Sequence, residues 1–169
     1  MTARILVAGI GNIFLGDDGF GPEVIRRASA RLDDSRFDGI SVKAVDYGIR
    51  GVHLAYDLLD EWEALVLVDA VPGRGAPGTL HVFEADHRTL TPTTGFAAHS
   101  MDPAAVFATL GALGGTAPKT VVIGCEVSTV DDVMGLSAPV AAAVPGAVDA
   151  IDDVLSVLAP RVATPAREG

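Results

Sequence analysis

The 169-residue chain is poor in cysteine, in positive charge and in long apolar runs. Cys125 is its single cysteine, so no intrachain disulfide and no cysteine-based zinc centre can form, and a reducing cytoplasmic compartment is the expected setting. Lys and Arg number 12 against 22 Asp and Glu, for a net charge of −10. Such a chain lacks the basic face that displaces counterions from nucleic acid, and an anionic membrane surface is disfavoured for the same reason. No apolar run approaches the roughly 18 residues of a membrane span. The stretch Ile5–Ile10 after Arg4 is too short for a signal-peptide core and is broken at once by Gly11-Asn12. Apolar material as such is plentiful: 49% hydrophobic and 20% charged residues exclude disorder for most of the chain. The length suits one domain, expected over residues 1–160 with a flexible tail at 161–169. Expected partners are a neutral or basic protein surface, a small molecule or a metal cation.

Strand-length apolar runs alternate with stretches of helical period, which predicts an α/β fold: one three-layer domain, a mostly parallel sheet of about five strands with helices on both faces. Ile5–Ile10 reads as a continuous, doubly buried first strand. A glycine-rich loop follows, then a helix with Pro22 in its first turn and Val24, Ile25, Ala28 and Leu32 on one face. Val42–Val45 is a second strand ending at Asp46-Tyr47-Gly48, and Leu54, Leu58 and Leu59 mark a second helix. Ala64–Val68 is the most strongly apolar strand and is expected to stop at Asp69. Thr79–Phe83 alternates like a strand with one exposed face. Residues 89–98 have no period and read as a loop. Asp102-Pro103 should open a helix, Thr120–Gly124 is a last strand, and Pro145 is expected to split or kink the apolar helix that runs from Val140 to Leu158.

Asp18 lies in the loop after the first strand, Asp69 at the end of the most buried strand, and His99 just before a helix. Loops at the carboxyl ends of parallel strands surround the crevice where ligands bind, so these three side chains can meet there. Two carboxylates and an imidazole suit a divalent transition ion such as nickel or zinc. Plainer readings stand beside this one: Asp17 and Asp18 as helix caps, Asp69 as a structural strand-end acid, His99 as an ordinary surface histidine. A dinucleotide site does not fit. Gly9-x-Gly11 lacks the third glycine, since position 14 is Phe, and Asp17 and Asp18 stand where a pyrophosphate would sit. Cys125 reads as a small core residue and Ser100 beside His99 carries no triad signal. His53, His81 and His87 read as ordinary histidines.

The segment Gly9-Ile10-Gly11-Asn12-Ile13-Phe14-Leu15-Gly16-Asp17-Asp18-Gly19-Phe20-Gly21 resembles the opening motif of the hydrogenase maturation proteases. Later pieces agree in order: Leu65–Ala70 as the buried strand ending in Asp, the histidine segment headed by His99, and Gly124 to Leu136-Ser137 followed by Pro139. The resemblance implies an endopeptidase that removes a short C-terminal extension from the large-subunit precursor of a nickel-iron hydrogenase once nickel is inserted. It also implies a metal-recognising trio of Asp18, Asp69 and His99 that senses nickel in the substrate. Asp18 or Asp17 is a candidate catalytic base, and polarisation by the metal is the other route to cleavage. Nickel is thus expected in the substrate, with another divalent ion such as zinc conceivable in the free protein. Where the family often has Asp-Gly-Gly-Thr, this chain has Asp46-Tyr47-Gly48-Ile49-Arg50-Gly51, a departure that bears on which precursor is processed. Asp46 also ends a strand on the crevice side and is a candidate for holding the substrate tail or supporting the metal's ligands, and Arg50 is a candidate for meeting an acidic or carbonyl group of the extension. The competing reading is a noncatalytic Rossmann-like nucleotide- or metal-binding module, or a precursor chaperone that binds without cutting.

Overall fold

The computed structural model describes residues 3–32, 39–85 and 103–163. Along the chain run β1 (Ala3–Ile10), a 3₁₀ turn (Gly16–Gly19), α1 (Phe20–Ala28), β2 (Ile40–Gly48), α2 (Gly51–Asp57), β3 (Ala64–Val71), β4 (Leu80–Glu84), α3 (Pro103–Ala112), β5 (Lys119–Glu126) and α4 (Ala138–Ala163). The sheet has the order β2-β1-β3-β5-β4, parallel except for the antiparallel edge strand β4. This is the expected three-layer α/β arrangement.

The continuous apolar runs of β1 and β3 are explained by cover on both faces. Ile5, Val7, Val66, Val68, Ile123 and Cys125 point into the layer that holds α1 and α4. Leu6, Ala8, Ile10, Leu65, Leu67 and Val122 point into the layer that holds α2 and α3. Residues 64 to 68 are completely buried, each large side chain among them contributing about 1.5–3 kcal/mol of burial free energy. On α1 the apolar face (Val24, Ile25, Ala28) meets α4, while Glu23 on the outer face pairs with Arg26 and Arg27.

Four expectations need correction. β3 does not stop at Asp69; it continues to Val71, because β5 carries on beside it and pairs Asp69 with Gly124, Ala70 with Cys125 and Val71 with Glu126. β4 is exposed along most of both faces, not one, since it is the edge strand. Pro145 does not split the last helix. It lies on the water face of α4, where the carbonyl deprived of its partner can be solvated, while Val140, Val144, Ala147, Val148, Ile151, Leu155 and Leu158 hold the other face in the core. Leu32 packs on the core but from beyond the end of α1. The helix expected after Pro103 forms; Asp102, the loop at 89–98, His87 and most of the tail lie outside the described residues, although α4 reaches Ala163.

Candidate active site

β1 is the pivot of the strand order: the chain leaves it outward to β2, then crosses back to β3 on its other side. Such a reversal opens a crevice at the carboxyl ends of the two strands. The loop that lines this crevice is packed too tightly for side chains at two positions. Gly11 has a φ of +143°, and a methyl group there would run into the carbonyl oxygen of Asp18. At Gly21 a methyl group would meet the carbonyls of Ile10 and Val68, so the start of α1 lies directly on the ends of β1 and β3.

Asp17 and Asp18, adjacent in the 3₁₀ turn, are both buried. Neither caps α1, whose N-cap is Gly19 with no side-chain bond, so the capping reading is withdrawn. Asp17 reaches across the molecule to residues 128–137. Its Oδ2 accepts the N–H groups of Ser128 (2.8 Å) and Thr129 (3.0 Å) and the Ser137 hydroxyl (2.8 Å), and its Oδ1 accepts the Ser137 N–H (2.6 Å). Two backbone bonds reinforce the seam: Gly16 N–H donates to the Val133 carbonyl (2.8 Å) and Asp17 N–H to that of Thr129 (2.9 Å). Burial alone would raise the pKa of Asp17. The backbone donors of Ser137, Thr129 and Ser128, with the Ser137 hydroxyl, outweigh burial and hold the carboxyl below its ordinary range. An acid whose oxygens are engaged by four protein donors is poorly placed as a proton acceptor for substrate. Asp18 instead accepts the Asn12 N–H at Oδ2 (2.8 Å), two residues beyond the end of β1.

Asp69 is 4% exposed. Val68 is the last residue of β3 paired with β1, through Gly9, so Asp69 is the first to stand clear of that neighbour. Alternation along β3 turns its side chain to the layer of Leu65 and Leu67. Asp18, in the turn after β1 and bonded back to Asn12, and Asp69, near the carboxyl end of β3, thus both belong to the crevice end of the sheet. His99 lies outside the described residues. Among the described residues, no three His, Cys, Asp or Glu side chains are grouped as a metal site.

At the end of β2, Asp46 Oδ1 accepts the Gly48 N–H (2.8 Å). Arg50 donates to the carbonyls of Asp46 (3.0 Å) and Tyr47 (3.3 Å), so part of its guanidinium shapes its own turn. Tyr47 is buried and donates its hydroxyl to Asp57 (2.5 Å); burial and that bond push its pKa up.

One buried acid escaped the reading of the sequence. Glu126, at the end of β5, accepts the N–H groups of Arg74 (2.7 Å) and Ala76 (3.4 Å) and meets the half-exposed ring of His81 (2.8 Å). His81 and those backbone donors hold its carboxyl below the ordinary range despite its burial. The signal was available: Glu126 closes an apolar strand just as Asp69 follows one. Cys125 is buried and its thiol is pushed up to about 11, first by burial and then by the charges of Asp17 and Glu126, which excludes a ready thiolate nucleophile at neutral pH.

Two cavities share Ile13, Pro22 and Asp46. The larger, about 520 Å³, lies between the 3₁₀ turn and the 128–137 segment, lined by Gly16, Gly19, Met134 and Leu136 among others. The smaller, about 370 Å³, includes Asn12, Phe14 and Arg50. Neither Asp18 nor Asp69 lines either one, so the cavities flank the carboxylates and do not contain them. No helix among the described residues is long and apolar enough to cross a membrane.

Comparison with known proteins agrees with this architecture. The chain is 42% identical to the delta subunit of coenzyme F420 hydrogenase of Methanothermobacter thermautotrophicus over 48% of its own length and 52% of that protein's. It is 31% identical to the hydrogenase expression/formation protein HupD of Rhodobacter capsulatus over 78% and 61%. The chain thus spans less than two thirds of either relative. The structure of the hydrogenase maturating endopeptidase HybD from Escherichia coli superposes with a TM-score of 0.76 at 25% identity, covering 92% of this chain and 93% of that one. The sequence profile of the hydrogenase maturation proteases matches residues 22–154, most of the chain and all of the sheet beyond β1. The chain belongs to the hydrogenase maturation protease family.

Proposed function

We propose that this protein is an endopeptidase that trims the C-terminal extension from the nickel-loaded large-subunit precursor of a nickel-iron hydrogenase. The observation that carries the reading is the pair of buried carboxylates, Asp18 in the turn after β1 and Asp69 near the end of β3, at the crevice end of a chain in this family. Nickel belongs to the substrate. Carboxylate oxygens and an imidazole nitrogen are donors it accepts, so Asp18, Asp69 and His99 would engage an ion already held by the precursor. Metal occupancy then becomes the test of a correct substrate: a precursor without nickel offers these donors no ion to engage and binds poorly.

Of the two candidate bases, Asp18 is assigned the chemistry and Asp17 the support. Asp18 stands at the crevice and can orient or deprotonate the attacking water. Asp17, tied to Ser128, Thr129 and Ser137, fixes the backbone from which Asp18 projects. Asp46 and Arg50, at the mouth of the smaller cavity, are placed to meet the precursor's tail.

The test incubates the full chain with nickel-loaded and nickel-free precursor and follows loss of the extension by mass spectrometry. Cleavage of the loaded form only is expected. Asp18→Asn should slow it about 10²–10⁴-fold, the range for removing a positioned base; undiminished cleavage would overturn the assignment.

A further inference from the structure

α2 lacks the charged side that a surface helix normally turns to water. Gly51, Leu54 and Ala55 face the core, and Leu58 follows them just past the helix end. The opposite side should carry charge, yet it carries Val52, His53 and Tyr56. The only charged residue of the helix, Asp57, accepts the Tyr47 hydroxyl. Leu58 keeps helical backbone and the Leu59 N–H bonds the Tyr56 carbonyl, so the winding carries on to Leu59. Val52, Tyr56 and Leu59 are 48%, 54% and 44% exposed, and their i, i+4, i+7 spacing sets them in one row. A helix that is apolar on both sides is ordinarily covered on both sides.

The row starts at the smaller cavity. Ile13, Phe14 and Ile49 all line that cavity, with Phe14 60% and Ile49 61% exposed at its lip, and Arg50, which lines it too, is the N-cap of α2. Six of the twelve large apolar side chains exposed among the described residues thus lie at this cavity or on the helix that leaves it. Such clustering exceeds the single, scattered exposure of an ordinary surface. Asp46 and Arg50 offset each other in the cavity, and the row adds no charge, so an occupant needs apolar area and no particular sign. A second copy of this chain seated on the row and lip would shut the cavity against the precursor's tail. A protein that brings its own tail to the cavity can cover the row with the surface beside that tail.

We propose that the outer row of α2, together with the lip formed by Phe14 and Ile49, docks an uncharged apolar surface of the folded precursor next to its C-terminal tail. The inference rests on the reading of the precursor as substrate and adds which surface of this chain receives its body. No residue of α2 is assigned to the chemistry, so the face acts on affinity and leaves the chemical step alone.

The experiment uses the full-length chain and nickel-loaded precursor, measuring cleavage kinetics and, separately, precursor binding by surface plasmon resonance. Val52→Gln with Tyr56→Gln makes the row polar, and Phe14→Gln with Ile49→Gln does the same at the lip. Each pair should raise KM and weaken binding roughly tenfold, the effect of losing an interface anchor, while kcat stays within about twofold of wild type. The loss should persist at about 0.5 M sodium chloride, where attraction between exposed charges is screened. Val82→Gln with Phe83→Gln, on side chains of the edge strand β4 that are comparably exposed, should leave KM and affinity at wild-type values. Unchanged affinity in the first two pairs, a loss confined to kcat, or an equal loss in the β4 pair would overturn the docking face. So would a wild-type dimer in analytical ultracentrifugation that the Val52 and Tyr56 changes disperse, since a second copy would then own the row. Should the wild-type chain bind precursor without cutting it, weaker binding by the first two pairs would uphold the face while the peptidase reading falls; a wild-type chain that neither binds nor cuts would end both.

Discussion

Two buried carboxylates fasten loops near the carboxyl end of β5, and they do so differently. Asp17 draws in residues 128–137 with four neutral donors and pairs with no cation among the described residues. Glu126 draws in the loop after β3 with the N–H groups of Arg74 and Ala76 and leans on a histidine that is half in water. The first clamp joins segments more than a hundred residues apart, immediately before the acid assigned to the chemistry. The second stays within 52 residues and secures the loop that covers the end of β5. A carboxylate satisfied wholly by backbone and hydroxyl donors gives geometry without a mobile partner, which suits the turn that also carries Asp18.

The contrast can be broken from its stronger end. Asp17→Ala strands the part-buried amides of Ser128, Thr129 and Ser137 together with the Ser137 hydroxyl, and should cost about 3 kcal/mol, a Tm loss of roughly 6–12 °C by calorimetry. Glu126→Ala frees two N–H groups, one of them weakly bound at 3.4 Å, and should lower Tm less; an equal or larger drop would reverse the ranking of the clamps. Acid sharpens the comparison. Because the folded-state pKa of Asp17 lies below its ordinary 3.8, its stabilisation is fully present above that value and is lost as pH falls through the folded value. Wild type should therefore lose stability steeply below about pH 4, and Asp17→Asn, whose side chain does not titrate, should show a shallower fall in the same denaturation series. The smallest effect belongs to His81→Ala: its ring is 45% exposed, so stability should stay within about 0.5 kcal/mol of wild type in urea titrations.

Much of the fold was legible because it depends on local apolar pattern. The runs at Ile5–Ile10 and Ala64–Val68 announce doubly covered strands, and the alternation at Thr79–Phe83 announces one with water beside it. Where the reading slipped, the deciding partner was distant. Asp69 looked like the end of a strand, but β5 is long enough to carry the ladder on to Val71. Pro145 looked like a break until the helix turned that residue to water. At the site, Asp18 and Asp69 were visible as acids in or just before the loops that follow apolar strands, a rule that needs no knowledge of contacts. The job of Asp17 was not visible, because its partners are backbone amides, which carry no residue signature, 111 to 120 positions away. The His81–Glu126 pair was hidden by an antiparallel register that only the folded sheet supplies.

The closeness of Gly11 and Gly21 to neighbouring carbonyls also says how this gene can drift. In a library randomised from position 9 to 21 and selected for a working hydrogenase, those two columns should hold nothing but glycine, since any β-carbon there displaces main chain. Ile13 and Phe14, a few codons away, face solvent and carry no such restriction on folding. Changes there would pass the requirement for a folded chain and, under the proposed function, be sorted by which precursor the protein still accepts. The same short stretch of DNA thus holds both the letters that cannot vary and those through which one protease could diverge into another.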